Sequence, residues 1–126
     1  MSPCSVLLVD PHADCRIVYA TFLAHYGYRV LQAPDEEEGL RLARQQHPDL
    51  VLTELFPWST DGALLPERLR SFPETVGIPV IVLTAHLVAD EWRDRLLECG
   101  TRVLLKPCGP RQVMEEIRRT ACADAA

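Results

Sequence analysis

Five short runs of β-branched residues and leucine, at residues 6–9, 30–31, 50–52, 80–83 and 103–105, constrain this chain more than any other feature. None alternates with polar residues, and each is bounded by polar or turn-forming ones. A strand that is apolar at successive positions is covered on both faces, which marks a parallel sheet with helices above and below it. Helical patterns fill the intervals. Val18, Phe22 and Tyr26 recur every four residues beside Tyr19 and Leu23, with Gly27 as a C-terminal stop. Asp35 is placed to cap a second helix; its first turn carries Glu36, Glu37 and Glu38, where the helix dipole favours acids, and its Leu40 and Ala43 face inward. A third helix is predicted over about 63–72, a fourth over about 90–99 ahead of Gly100, and a fifth from Pro110 to about Ala121.

The element order is therefore (βα)5. Right-handed crossovers turn that order into a three-layer α/β fold, a doubly wound, five-stranded parallel sheet with the flavodoxin-like strand order 2-1-3-4-5. The 126 residues suit one domain spanning 1–126, with residues 122–126 read as a tail or linker stump. No apolar stretch is long enough to cross a bilayer and no basic segment precedes an apolar run at the N-terminus, so a cytoplasmic protein is expected. A net charge of -5, with the arginines scattered among acids, leaves no basic footprint for direct nucleic-acid binding. Cys4, Cys15, Cys99, Cys108 and Cys122 form no C-x-x-C pair and are odd in number, which predicts free thiols serving as small packing residues. His12, His25, His47 and His86 are dispersed and are assigned no ligand role.

In an open parallel sheet the ligand site lies beyond the carboxyl ends of the strands, where the winding direction reverses. Those ends carry Asp10, Glu54, Thr84 and Lys106, the last being the only lysine of the chain. Two carboxylates, a hydroxyl and an ammonium are thus expected on one rim, from four separated segments.

With these residues in place, the sequence resembles the receiver domains of two-component response regulators over essentially its whole length. Val6-Leu7-Leu8-Val9-Asp10 is similar to the family's first strand and acidic end, and Pro48-Asp49-Leu50-Val51-Leu52-Thr53-Glu54-Leu55 to the segment that carries the phosphoacceptor. Asp61-Gly62, Thr84-Ala85 and Lys106-Pro107 match the family's Asp-Gly loop, its Thr/Ser-Ala pair and its Lys-Pro. The resemblance implies a signalling module of bacterial phosphorelay type and not an enzyme. It implies an aspartate that takes a phosphoryl group from a partner histidine, a magnesium ion held by carboxylates, and phosphoryl contacts from the lysine and the Thr/Ser hydroxyl.

The chain departs from that pattern at three positions. Glu54 stands where the family has its acceptor aspartate, Pro11 where it has the second member of an acidic pair, and Val103 where many members carry a switching aromatic residue. The site is therefore expected to be vestigial, with Asp10 and Glu54 as weak magnesium ligands at most and no cofactor required. The expected function is a phosphorylation-independent interaction module; the alternative is a magnesium-dependent receiver still phosphorylated on Glu54, Asp61 or Thr53. Expected partners are proteins: a histidine kinase, another regulator, an effector domain or a second copy of the chain. The expected binding face is formed by the fourth helix, fifth strand and fifth helix, with Trp92 as a candidate anchor and Trp58 in the loop after the third strand.

Overall fold

The computed structural model describes residues 4–54, 64–84, 90–106 and 108–121, the side chains of 90–92 excepted. Five strands, β1 (Ser5–Val9), β2 (Arg29–Ala33), β3 (Leu50–Thr53), β4 (Val80–Thr84) and β5 (Arg102–Leu105), alternate with five helices. The helices are α1 (Ala13–His25), α2 (Glu36–Gln46), α3 (Leu65–Arg70), α4 (Asp90–Glu98) and α5 (Pro110–Thr120). All strand pairs are parallel and the order is β2-β1-β3-β4-β5, as expected.

Side chains alternate across a strand, so the two faces of the sheet build two cores. Val6 and Leu8 of β1, Leu50 and Leu52 of β3, and Ile81 and Leu83 of β4 join Ala20 and Leu23 of α1 and Val113, Met114 and Ile117 of α5. Leu7 and Val9, Val51 and Val80 instead meet Leu40 and Ala43 of α2 and Leu65 and Leu69 of α3. The central strands are covered on both faces, whereas the edge strands β2 and β5 are only partly covered.

The second helix forms as its sequence dictates: the Asp35 carboxylate accepts from the Glu38 N–H at 2.8 Å. Its neighbour Glu36 is buried, and its carboxylate accepts from the Leu65 N–H at 3.0 Å, which ties α2 to the start of α3. That start is set by Pro66 in the first turn and by Glu67, whose carboxylate accepts from the Leu64 N–H at 2.9 Å. The helix is shorter than the predicted 63–72, because a second carbonyl-satisfying turn takes over: the Ser71 N–H bonds to Arg68 O and the Thr75 hydroxyl bonds to Leu69 O.

Of the periodic residues of α1, Leu23 is buried and Tyr19 and Phe22 pack against the core, whereas Val18 is 57% and Tyr26 46% exposed. The helix is rolled so that Tyr19 donates its hydroxyl to Cys108 O at 2.7 Å, fastening α1 to the segment before α5, and this places residues 18 and 26 at the outer rim. The cysteines differ from the expected free thiols: Cys4 is disulfide-bonded, and of the free Cys15, Cys99 and Cys108 only the last is buried. Sequence spacing hides such a bond because its cause is three-dimensional proximity.

Candidate functional site

The winding direction reverses at β1, which has β2 on one side and β3 on the other. The crevice beyond β1 and β3 is therefore the place to look for chemistry. Backbone bonds set the rim: the Asp10 N–H bonds to Ala33 O at 3.0 Å, the Glu54 N–H to Val9 O at 2.9 Å, and the Lys106 N–H to Thr84 O at 2.7 Å. Each polar residue is thus the first position past an ordered strand or its last member, and its side chain leaves a rigid base.

Three of the four predicted side chains meet directly. Lys106 Nζ lies 2.8 Å from Glu54 Oε2 and 3.4 Å from Asp10 Oδ2. All three are largely removed from solvent, with Asp10 3% and Glu54 8% exposed. Burial alone would pull the Lys106 ammonium below its usual range, but the hydrogen bond and charge of Glu54, with Asp10 behind them, outweigh it and raise the pKa. Thr84 closes β4 as a buried residue on the same rim.

Two residues that sequence reading passed over complete the arrangement. His12 donates its backbone N–H to Asp10 Oδ1 at 2.8 Å, and its Nδ1 lies 3.2 Å from the same oxygen. Arg16 donates Nη1 to Asp10 O at 2.6 Å. The available signal was an acid two residues ahead of a helix N-cap, a spacing that favours a side-chain bond back to the backbone. Thr53 is buried, and its hydroxyl donates to Glu54 O at 2.9 Å.

The rim carboxylates already have partners. One oxygen of Asp10 is engaged by His12 and the other by Lys106, Glu54 Oε2 is engaged by the same ammonium, and Pro11 is exposed and brings no side-chain donor atom. No cluster of three His, Cys, Asp or Glu side chains suited to a metal occurs among the described residues. Val103 packs against Leu64, Val82 and Leu96, as an ordinary strand residue between sheet and α4. Trp58, Asp61, Gly62, Ala85, His86, Pro107, the Trp92 side chain and residues 122–126 lie outside the described residues.

A second feature lies on the α4–β5 side. Leu96, Leu97, Val103 and Leu105, with Arg93 and Arg102, line a groove of about 430 Å³. Leu97 is 66% and Leu105 50% exposed. No helix of the described residues is long and apolar enough to cross a membrane.

Comparison with known proteins gives the family. The family of the response regulator receiver domain matches residues 6–118. The chain is 33% identical over 116 residues to the probable transcriptional regulator ycf27 of Porphyridium aerugineum, covering 90% of this chain and 46% of that protein. It is 30% identical over 125 residues to the phosphate regulon transcriptional regulatory protein PhoB of Pseudomonas aeruginosa, covering 96% and 55%. The chain thus spans about half the length of these relatives. Among solved structures, a response regulator from Desulfuromonas acetoxidans superimposes with a TM-score of 0.81 at 28% identity, over 91% of this chain and 94% of that one.

Proposed function

We propose, starting from the fact that the chain belongs to the response regulator receiver domain family, that it serves two-component signal transduction as a protein-binding module independent of phosphorylation at residue 54. The ion pair of Glu54 with Lys106 at 2.8 Å carries this reading. In the family pattern the lysine contacts the transferred phosphoryl group; here a carboxylate of this chain already occupies it. Glutamate extends its carboxylate ~1.3–1.5 Å beyond that of aspartate, and misplacement by about 1 Å costs on the order of 100-fold in positioned chemistry. Glu54 mimics a phosphorylated acceptor only in part, since a phosphoryl group brings a charge of about -1.5 to -2 and more acceptor oxygens.

Magnesium has no essential part in this function, because the carboxylates that would hold it are engaged by Lys106 and His12 and residue 11 is proline. Thr53 is a poor alternative acceptor, buried and with its hydroxyl committed to Glu54 O. The protein partner, a kinase, another regulator, an effector domain or a second copy, docks on the face of α4, β5 and α5. The apolar groove there, flanked by Arg93 and Arg102, supports that assignment.

Intact-mass analysis after incubation with acetyl phosphate and magnesium tests the proposal, beside a Glu54→Asp variant and a magnesium-free control. The unaltered chain should stay unlabelled. A stable gain of about 80 Da, one phosphoryl group, that needs magnesium would overturn the reading and direct the search for the acceptor to Glu54, Thr53 or Asp61. Labelling of the variant alone would assign the block to residue 54, and labelling of neither would extend it to Pro11.

A further inference from the structure

We infer that the outer face of α1 is a homodimer interface, on which a second copy of the chain lays its own α1 antiparallel across a two-fold axis. The helix is apolar on two sides, and the core of its own chain uses only one. Ala20 and Leu23 are buried, with Tyr19 and Phe22 packed against the same core. On the other side Ile17 is 53%, Val18 57% and Tyr26 46% exposed. A surface helix normally turns polar residues outward, and contiguous exposed apolar surface marks an interaction site.

The patch borders a groove of about 510 Å³ between α1 and Pro110 at the start of α5. Tyr26 is held by its neighbours, its ring centroid 4.9 Å from that of Phe22 and 5.1 Å, edge-on, from that of His25. Rings fixed in this way lose little freedom on binding, which suits them as interface anchors. Leu96 of α4 packs on Val82, whose side chain leaves the sheet on the opposite face from Ile81 and Leu83 beneath α1 and α5. The α1 patch is therefore separate from the α4–β5 groove, and this interface is independent of the docking proposed there.

Charge selects the occupant. The exposed residues Asp14, Val18, Thr21 and His25 follow one another at steps of four, three and four, the spacing of a stripe along which two helices pack. The stripe begins with an acid and ends with an imidazole. A second α1 running antiparallel about an axis between Tyr19 and Ala20 sets Asp14 opposite the partner's His25, Ile17 opposite the partner's Phe22 and Val18 opposite the partner's Thr21. An imidazole then donates to a carboxylate at each end of the interface, and the apolar side chains meet between them. A parallel copy would set Asp14 against the partner's Asp14, two like charges. One helix face makes a small interface, below about 1,200 Å² in total, so a dissociation constant on the order of 10–100 µM is expected.

Sedimentation equilibrium of the full chain from about 1 µM to about 1 mM tests this, with dithiothreitol present to remove disulfide-linked dimers. The mass should rise from one chain toward two. Val18→Asp, at an exposed position, should weaken association by about tenfold or more. Asp14→Arg should weaken it several-fold, and adding His25→Glu should restore it. Leu97→Asp, in the α4–β5 groove, should leave it unchanged. A chain that stays monomeric at about 1 mM would overturn the inference and leave the face to a different protein. Dimerisation untouched by Val18→Asp, dimerisation abolished by Leu97→Asp, or no rescue in the double variant would overturn it as well.

Discussion

Lys106 Nζ sits 2.8 Å from Glu54 Oε2 and 3.4 Å from Asp10 Oδ2, so the chain's only lysine is enclosed by two buried carboxylates. Removing one member of a buried ion pair leaves an uncompensated charge, at a typical cost of about 3–5 kcal/mol. Glu54→Gln keeps the shape and leaves Asp10 in place, so a loss at the lower end, ~3 kcal/mol, is expected. Lys106→Met strands two carboxylates and should cost more. Urea denaturation of both variants checks the order; equal losses would refute the order, and no loss in either would show that the pair contributes nothing.

The same pair sets an alkaline limit. Burial alone would lower the Lys106 pKa, but Glu54 and then Asp10 raise it above the ordinary value of 10.5. A raised folded-state pKa means that the stabilisation is fully present below 10.5 and is lost as pH rises through the folded value. The stability difference between the natural chain and Lys106→Met should stay level up to about pH 10 and shrink above it. A difference that is constant through that window refutes the linkage.

Glu67 sets an opposite, acid limit. Its carboxylate accepts from Arg95 Nε at 2.9 Å and from the Leu64 N–H at 2.9 Å, joining α3 to α4. The Arg95 hydrogen bond is the main cause that lowers its pKa below the usual 4.5, against a partial opposition from burial. This contribution is present above 4.5 and fades as pH falls through the lower folded value. Glu67→Gln should therefore flatten the acid limb of the stability curve below about pH 4.5, measured by thermal unfolding across that range.

Gly39 marks the closest approach of α2 to β1. A Cβ built there lies 2.9 Å from Val9 Cγ2 and 3.3 Å from Cγ1, and Val9 is fully buried and stiff at χ1. Alanine is worth up to about 1 kcal/mol over glycine within a helix, but overpacking a core costs about 1–3 kcal/mol. Gly39→Ala should destabilise by ~1–2 kcal/mol in denaturant unfolding; a stabilised variant would mean that α2 lifts freely from the sheet.

Much of the fold was legible because its signals are local. Unbroken apolar runs gave away covered strands, Asp35 and its following glutamates gave away a helix start, and the element order left few topologies. The polar strand ends Asp10, Glu54, Thr84 and Lys106 were legible for the same reason: position along a strand is a property of the chain. Other features were not. The left-handed His47, with φ 49°, ends α2 without the glycine that would have announced it. The contacts of His12 and Arg16 to Asp10 depend on how α1 leaves β1, which no periodicity encodes.

The sequence by itself determined the alternation of strands and helices, the parallel sheet, the family pattern and the chemical types placed on one rim. Tertiary structure alone decided which face of α1 is buried, that Lys106 is shared between Glu54 and Asp10, and that Cys4 is not a free thiol. The reason is range: periodicity and capping arise among residues a few positions apart, whereas these contacts exist only once the sheet has brought distant strand ends to within hydrogen-bonding distance.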